Sequence, residues 1–116
     1  MQIVKKPLKA YILIDETVPV GHAVNCAAHA ALGMYLEHGG DPVVQEWAFN
    51  SFRKVSCKVT REQFERAKQY SGHTLITESA LGYKECALGF APRYEWPEFF
   101  KGLKLYSEIP LDSGVS

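Results

Sequence analysis

"LKAYILIDETVPVGHAVNCAAHAALG", residues 8–33, decides the fold. "LKAYILI", 8–14, is β-rich and almost continuously apolar, as a strand buried on both faces of a sheet must be. "DETVPVG" then turns the chain, with Pro19 and Gly21 as punctuation. Residues 21–37 follow as a helix that stops at "HGGDP", because Gly39, Gly40 and Pro42 cannot continue it. Ala23, Ala27, Ala30 and Ala31 suit this helix to close packing. It also carries His22, Cys26 and His29, which fall within roughly 60° of one another on a helix of 100° per residue.

Downstream, "VVQEWAFNS" predicts a shorter second helix, and "FRKVSCKVT", 52–60, alternates as a strand does. Thr60 and Gln63 have the spacing of a capping box, opening a helix that runs to Ser71 with Gly72 as its terminator. "HTLITES", 73–79, and "ECALGFA", 85–91, read as a hairpin around "ALGYK". "YEWPEFFKG" predicts a short last helix. The element order β-α-α-β-α-β-β-α predicts an α/β protein: a mixed four-stranded sheet between helices, three layers in all. Residues 1–106 form one domain in this reading, and 107–116 an exposed tail.

The chain has 116 residues, 47% apolar and 22% charged, enough for one core. No apolar run is long enough to cross a bilayer. The amino-terminal lysines precede an apolar run too short for a signal peptide, so a cytoplasmic protein without a membrane partner is expected. Three cysteines without a CxxC pair do not make a disulfide framework, and Cys57 and Cys86 read as small buried hydrophobes. Formal net charge is zero, so no global field draws the chain to nucleic acid. One local excess stands out: residues 53–68 hold six basic side chains (Arg53, Lys54, Lys58, Arg61, Arg66, Lys68) against two acidic ones. Such a stretch is either a solvated face or a phosphate-contacting patch.

In open α/β sheets ligands bind beyond the carboxyl ends of strands, which puts Asp15 and the segment Gly21–His29 where a site belongs. The His22–Cys26–His29 line then has three readings. It is the edge of a packing surface; or a zinc site, although three turns span about 10 Å and a fourth ligand is missing; or a catalytic group. In the last case Cys26 is a nucleophile with an imidazole as base, or the imidazoles serve an attacking water with Asp15 or Glu78 orienting them.

The same segment resembles the type II peptidyl-tRNA hydrolases. In that family an apolar strand ends in Asp, and the next helix opens Gly-Lys-x-x-x-Gln-x-x-His-Ala. Here "ILIDETVPVGHAVNCAAHA" places Asp15 seven residues before His22, matches Gly21, His29 and Ala30, and puts His22 at the Lys and Cys26 at the Gln. "LITES" resembles the family's Leu-Ile-x-Asp with Glu78 at the Asp, "LGFAP" its Leu-Gly-x-Gly-Pro, and "GLKLY" its closing Leu-Lys-Leu. Matching pieces run in order from about residue 8 to 106.

The resemblance implies the family's fold and hydrolysis of peptidyl-tRNA or a related acyl-nucleotide ester, without a cofactor or metal. His22 would be base or electrostatic stabiliser, with Glu78 and Asp15 as its carboxylates and Gly21, Asn25, Cys26 and His29 around it. Arg53, Lys54, Lys58 and Arg61 would meet the tRNA backbone. It also implies a homodimer. Lys is a permanent charge, whereas His is charged only below about pH 6.5 unless perturbed. The exchange at His22 therefore gives an alternative: a non-catalytic module of this fold that binds a small anionic or nucleotide-like ligand.

Overall fold

The computed structural model describes residues 7–108 and 111. Its first strand, β1 (Lys9–Asp15), is apolar on both faces for a structural reason: every residue from Ala10 to Asp15 is buried. Tyr11 and Leu13 point to one side and join Phe64, Ala67, Trp96 and Phe100; Ile12 and Ile14 point to the other and join Ala23, Cys26 and Ala30. Helices on both sides of one strand make the expected three layers. Leu13 is fully buried, which is worth about 2 kcal/mol of transfer free energy.

α1 (Val20–His38) and α2 (Pro42–Phe49) follow, then β2 (Arg53–Val59) and α3 (Arg61–Ala67). α2 starts where Asp41 accepts from the Val43 N–H at 2.9 Å and Pro42 fills its first turn. The capping box on α3 is complete: Thr60 Oγ1 accepts from the Gln63 N–H at 3.1 Å, and Gln63 Oε1 accepts from the Thr60 N–H at 2.9 Å. Thr60→Ala is expected to cost about 1 kcal/mol, read as a lower urea midpoint at unchanged slope.

The hairpin is β3 (His73–Glu78) and β4 (Lys84–Arg93), with a 3₁₀ turn at Ser79–Leu81 between them. α4 (Glu98–Lys101) and β5 (Lys104–Leu105) close the chain. The sheet has five strands, not four, in the order β3-β4-β1-β2-β5. The additional strand pairs Leu105 with Cys57 and Lys104 with Lys58, and Tyr106 N–H extends the edge by donating to Ser56 O. Two helices are shorter than the sequence predicts. α3 closes at Ala67, with single turns (Gln69 N to Arg66 O, Tyr70 N to Ala67 O) carrying the chain to Gly72 at φ +84°. α4 begins only after Pro97, whose ring keeps the preceding residues extended.

β1 and β2 are parallel, while β4 runs antiparallel to both β1 and β3. β3 is thus parallel to β1, and the carboxyl ends of β1, β2 and β3 share one edge of the sheet. No helix among the described residues is long and apolar enough to cross a membrane. Of the segments at either end, residues 1–6, 109, 110 and 112–116 lie outside the described residues, so most of the expected tail does too.

Candidate functional site

At that edge the chain gathers most of its buried and paired charge, but on two different faces. Asp15, the last residue of β1, continues the Tyr11–Leu13 side and so faces α3, away from α1. It is 1% exposed. Its Oδ1 accepts from the Thr17 N–H at 2.8 Å and the Thr17 hydroxyl at 2.7 Å, and its Oδ2 accepts from Arg61 Nη1 at 2.9 Å. Burial opposes the Asp15 charge, but the Thr17 and Arg61 hydrogen bonds and the Lys84 charge outweigh it and hold its pKa below the ordinary value. Asp15 orients the turn into α1 and no imidazole.

Arg61 is the hub of this face. Beyond Asp15 it pairs with Glu65 and Glu85, both at 2.8 Å, and Lys68 closes the circuit to Glu85 at 2.6 Å and Glu65 at 3.2 Å. Glu85 reaches that face because β4 bulges. Ile76 pairs with Ala87 and Thr77 with Glu85, leaving Cys86 as the extra residue. Lys68, then Arg61, draw the Glu85 pKa down against a smaller burial effect.

On the α1 face stands Glu78, at the end of β3. It caps the 3₁₀ turn by accepting from the Ala80 N–H at 3.2 Å, and its Oε1 lies 3.9 Å from His29 Nε2. Its side chain is 12% exposed and that of His29 is 55% exposed, so the pair is open to a ligand on the imidazole side. Lys84 is the cross-strand partner of Glu78 and shares its face, and its ammonium donates to the Thr17 hydroxyl. A carboxylate and an imidazole from two elements thus meet at the rim of the sheet, while the neighbouring lysine reaches Thr17 and the Asp15 side.

The His22–Cys26–His29 line divides. Cys26 is fully buried against the sheet. Burial pushes the Cys26 thiol pKa up, against a smaller opposing effect of the neighbouring Cys86 thiol. Burial, followed by Cys26 and Glu78, pushes Cys86 up to about 12. Neither thiol is an accessible nucleophile, and Cys57 and Cys86 are the buried hydrophobes the sequence suggested. His22 is half-buried in the first turn of α1, Asn25 and Gly21 are exposed, and a side chain at Gly21 would meet nothing within 4 Å. Glu78 therefore pairs with His29 rather than His22. Among the described residues no three His, Cys, Asp or Glu side chains converge as a metal site.

The basic stretch 53–68 does not form one patch. Arg53 and Lys54 begin β2, at the opposite end of the sheet from Glu78, and neighbouring strand residues face opposite sides. Lys58 is 8% exposed, with its ammonium 4.9 Å from the Tyr106 ring centre. Arg61 and Lys68 are neutralised by acids, and Arg66 lies over Phe99.

No known family and no curated protein matches the chain. The sequence left Lys84 and Thr17 unassigned. Thr17 had a signal, since a hydroxyl two residues after an Asp at a strand end is an Asx-turn pattern. Lys84 had only its place across the hairpin from Glu78.

Proposed function

We propose that the chain hydrolyses an acyl ester of the peptidyl-tRNA kind, in the manner of the type II peptidyl-tRNA hydrolases it resembles. The observation that carries this reading is the His29–Glu78 pair, 3.9 Å apart at the carboxyl end of β3. In it, His29 takes a proton from water as the water oxygen attacks the ester carbonyl. The acyl–oxygen bond breaks, the ribose oxygen regains a proton from the imidazolium, and a free carboxylic acid leaves. Glu78 holds the imidazole and balances its transient charge. Lys84, tied to Thr17, supplies a fixed positive charge at the rim, a charge that the resemblance assigns to a lysine at the sequence position of His22. A cytoplasmic place of action and pairing of two copies belong to the same reading.

Release of N-acetyl-amino acid from N-acetyl-aminoacyl-tRNA tests it. Turnover is expected to fall about a hundredfold in His29→Ala, with a smaller loss in Glu78→Gln, while both variants keep the wild-type circular dichroism. Folded wild type without turnover would remove the proposal. The dispersal of residues 53–68 favours a second reading, a module that binds a small anionic ligand at this rim without hydrolysing it, because tRNA affinity rests on many phosphate contacts. Replacing His22 by Lys separates the two. It raises hydrolysis in the first and leaves none to raise in the second.

A further inference from the structure

On the flank of α1 away from Glu78, a cavity of about 350 Å³ opens between α1, α2 and the start of β2. It exists because α1 packs on β4, β3 and β1 and leaves the same face of β2 without a helix above it. Ala28, Ala31 and Leu32 form one wall, Trp47 and Phe52 the other, and Lys54 stands among them. Its size sits at the lower end of the range of about 300–1,000 Å³ usual for small-molecule sites, and such sites are apolar with few polar groups.

Two features of the rim are unusual. Phe52 has φ +52°, a region that residues with side chains rarely adopt. Its N–H is held by Trp47 O at 2.8 Å, and the residue is 56% exposed. The Lys54 ammonium lies 3.3 Å from the Phe52 ring centre and 5.2 Å from that of Trp47, and donates to Phe52 O at 2.7 Å. Among the described residues no carboxylate lies within ion-pair distance of Lys54. Burial lowers its pKa from the ordinary lysine value, as expected for an ammonium set against rings with no acid beside it.

We infer that this cavity binds a small amphiphilic carboxylate, with its alkyl or aryl body between α1 and α2 and its carboxylate on Lys54 Nζ. A single ammonium matches a single negative charge. Arg53, next in sequence, belongs to the opposite sheet face, and Lys58 is engaged with Tyr106 further along β2. A polyanion would therefore find one counter-charge here. The inference does not depend on hydrolysis at His29.

Decanoate, below its micellar concentration, is a suitable probe, with Trp47 fluorescence as the readout because the indole forms a wall of the cavity. Saturable quenching or enhancement is expected with decanoate, and none with decyltrimethylammonium. Lys54→Gln should weaken decanoate about tenfold and leave decanol unchanged. Ala28→Phe, at an exposed helix position that tolerates a ring, should fill the cavity and abolish binding of both. Absence of a saturable response to decanoate would overturn the inference, as would an equal loss of decanol in Lys54→Gln. So would sedimentation showing that Ala28→Phe dissociates a dimer which decanoate leaves intact, since a second copy would then be the occupant.

Discussion

Gly89→Val is expected to destabilise the protein by about 3 kcal/mol or more. Gly89 lies in β4 directly beneath α1. A Cβ there would stand 2.4 Å from the Ala30 carbonyl oxygen, 3.0 Å from its carbon and 3.3 Å from Met34 Cβ. The first two atoms are helix backbone, which cannot step aside as a side chain can. Either α1 lifts from the sheet along its length or β4 is pushed toward the Phe64 and Phe100 side, and both routes disturb a core packed to crystal density. The stiffening that a β-branched residue brings to a strand returns only about 0.5–1 kcal/mol. Urea denaturation of Gly89→Val beside Gly21→Ala checks the argument, because Gly21 meets nothing within 4 Å and its replacement should be neutral or slightly stabilising. Equal midpoints for the two variants would show that α1 does not rest on β4 as described.

That contact also explains what could be read from the chain and what could not. β1 was legible because a fully buried strand leaves no polar residue between Ala10 and Ile14, and α1 because its alanines and terminal glycines are local signals. The pairing of Ala30 with Gly89 is not local, and nothing in either segment announces the other. β5 escaped because two exposed residues, Lys104 and Leu105, have no period to detect. It exists only as an edge partner for Cys57 and Lys58.

The site divides in the same way. Its place at the carboxyl ends of the strands followed from the element order, and Glu78 and His29 were both among the residues singled out. Their pairing was not legible, because His22 and His29 lie two turns apart on one helix and only the position of β3 beside α1 selects between them. Cys26 shared their line on the helix, yet a rotation of roughly 60° separates a sulfur under the sheet from an imidazole in solvent. The basic stretch disperses for a related reason. In sequence its charges are neighbours; on a strand they alternate between faces, and on α3 they find Glu65 and Glu85.

Asp15→Ala is expected to cost about 3 kcal/mol near pH 7 and to change how stability depends on acid. The substitution removes the acceptor for two Thr17 donors and one guanidinium bond. It leaves the loop into α1 without its Asx turn and a buried hole beside Arg61. Arg61 is 46% exposed and keeps Glu65 and Glu85, which holds the loss at the lower end of the range for broken buried pairs. Because the Asp15 pKa is lowered in the folded state, its contribution is fully present above the unfolded carboxylate value near pH 4, and is lost as pH falls through the folded value. Stability of the wild type should therefore drop on going from pH 6 to pH 3, and the gap between wild type and Asp15→Ala should narrow over the same interval. Glu85, lowered by Lys68 and Arg61, also loses its contribution as pH falls, in both proteins, so Glu85→Gln in each background separates its share of the curve from that of Asp15. Urea midpoints at each pH measure that curve. A gap that stayed constant down to pH 3 would mean that Asp15 is held by shape alone. The ion network at the carboxyl edge of the sheet would then be ornament rather than the fixture that sets the loop on which α1 begins.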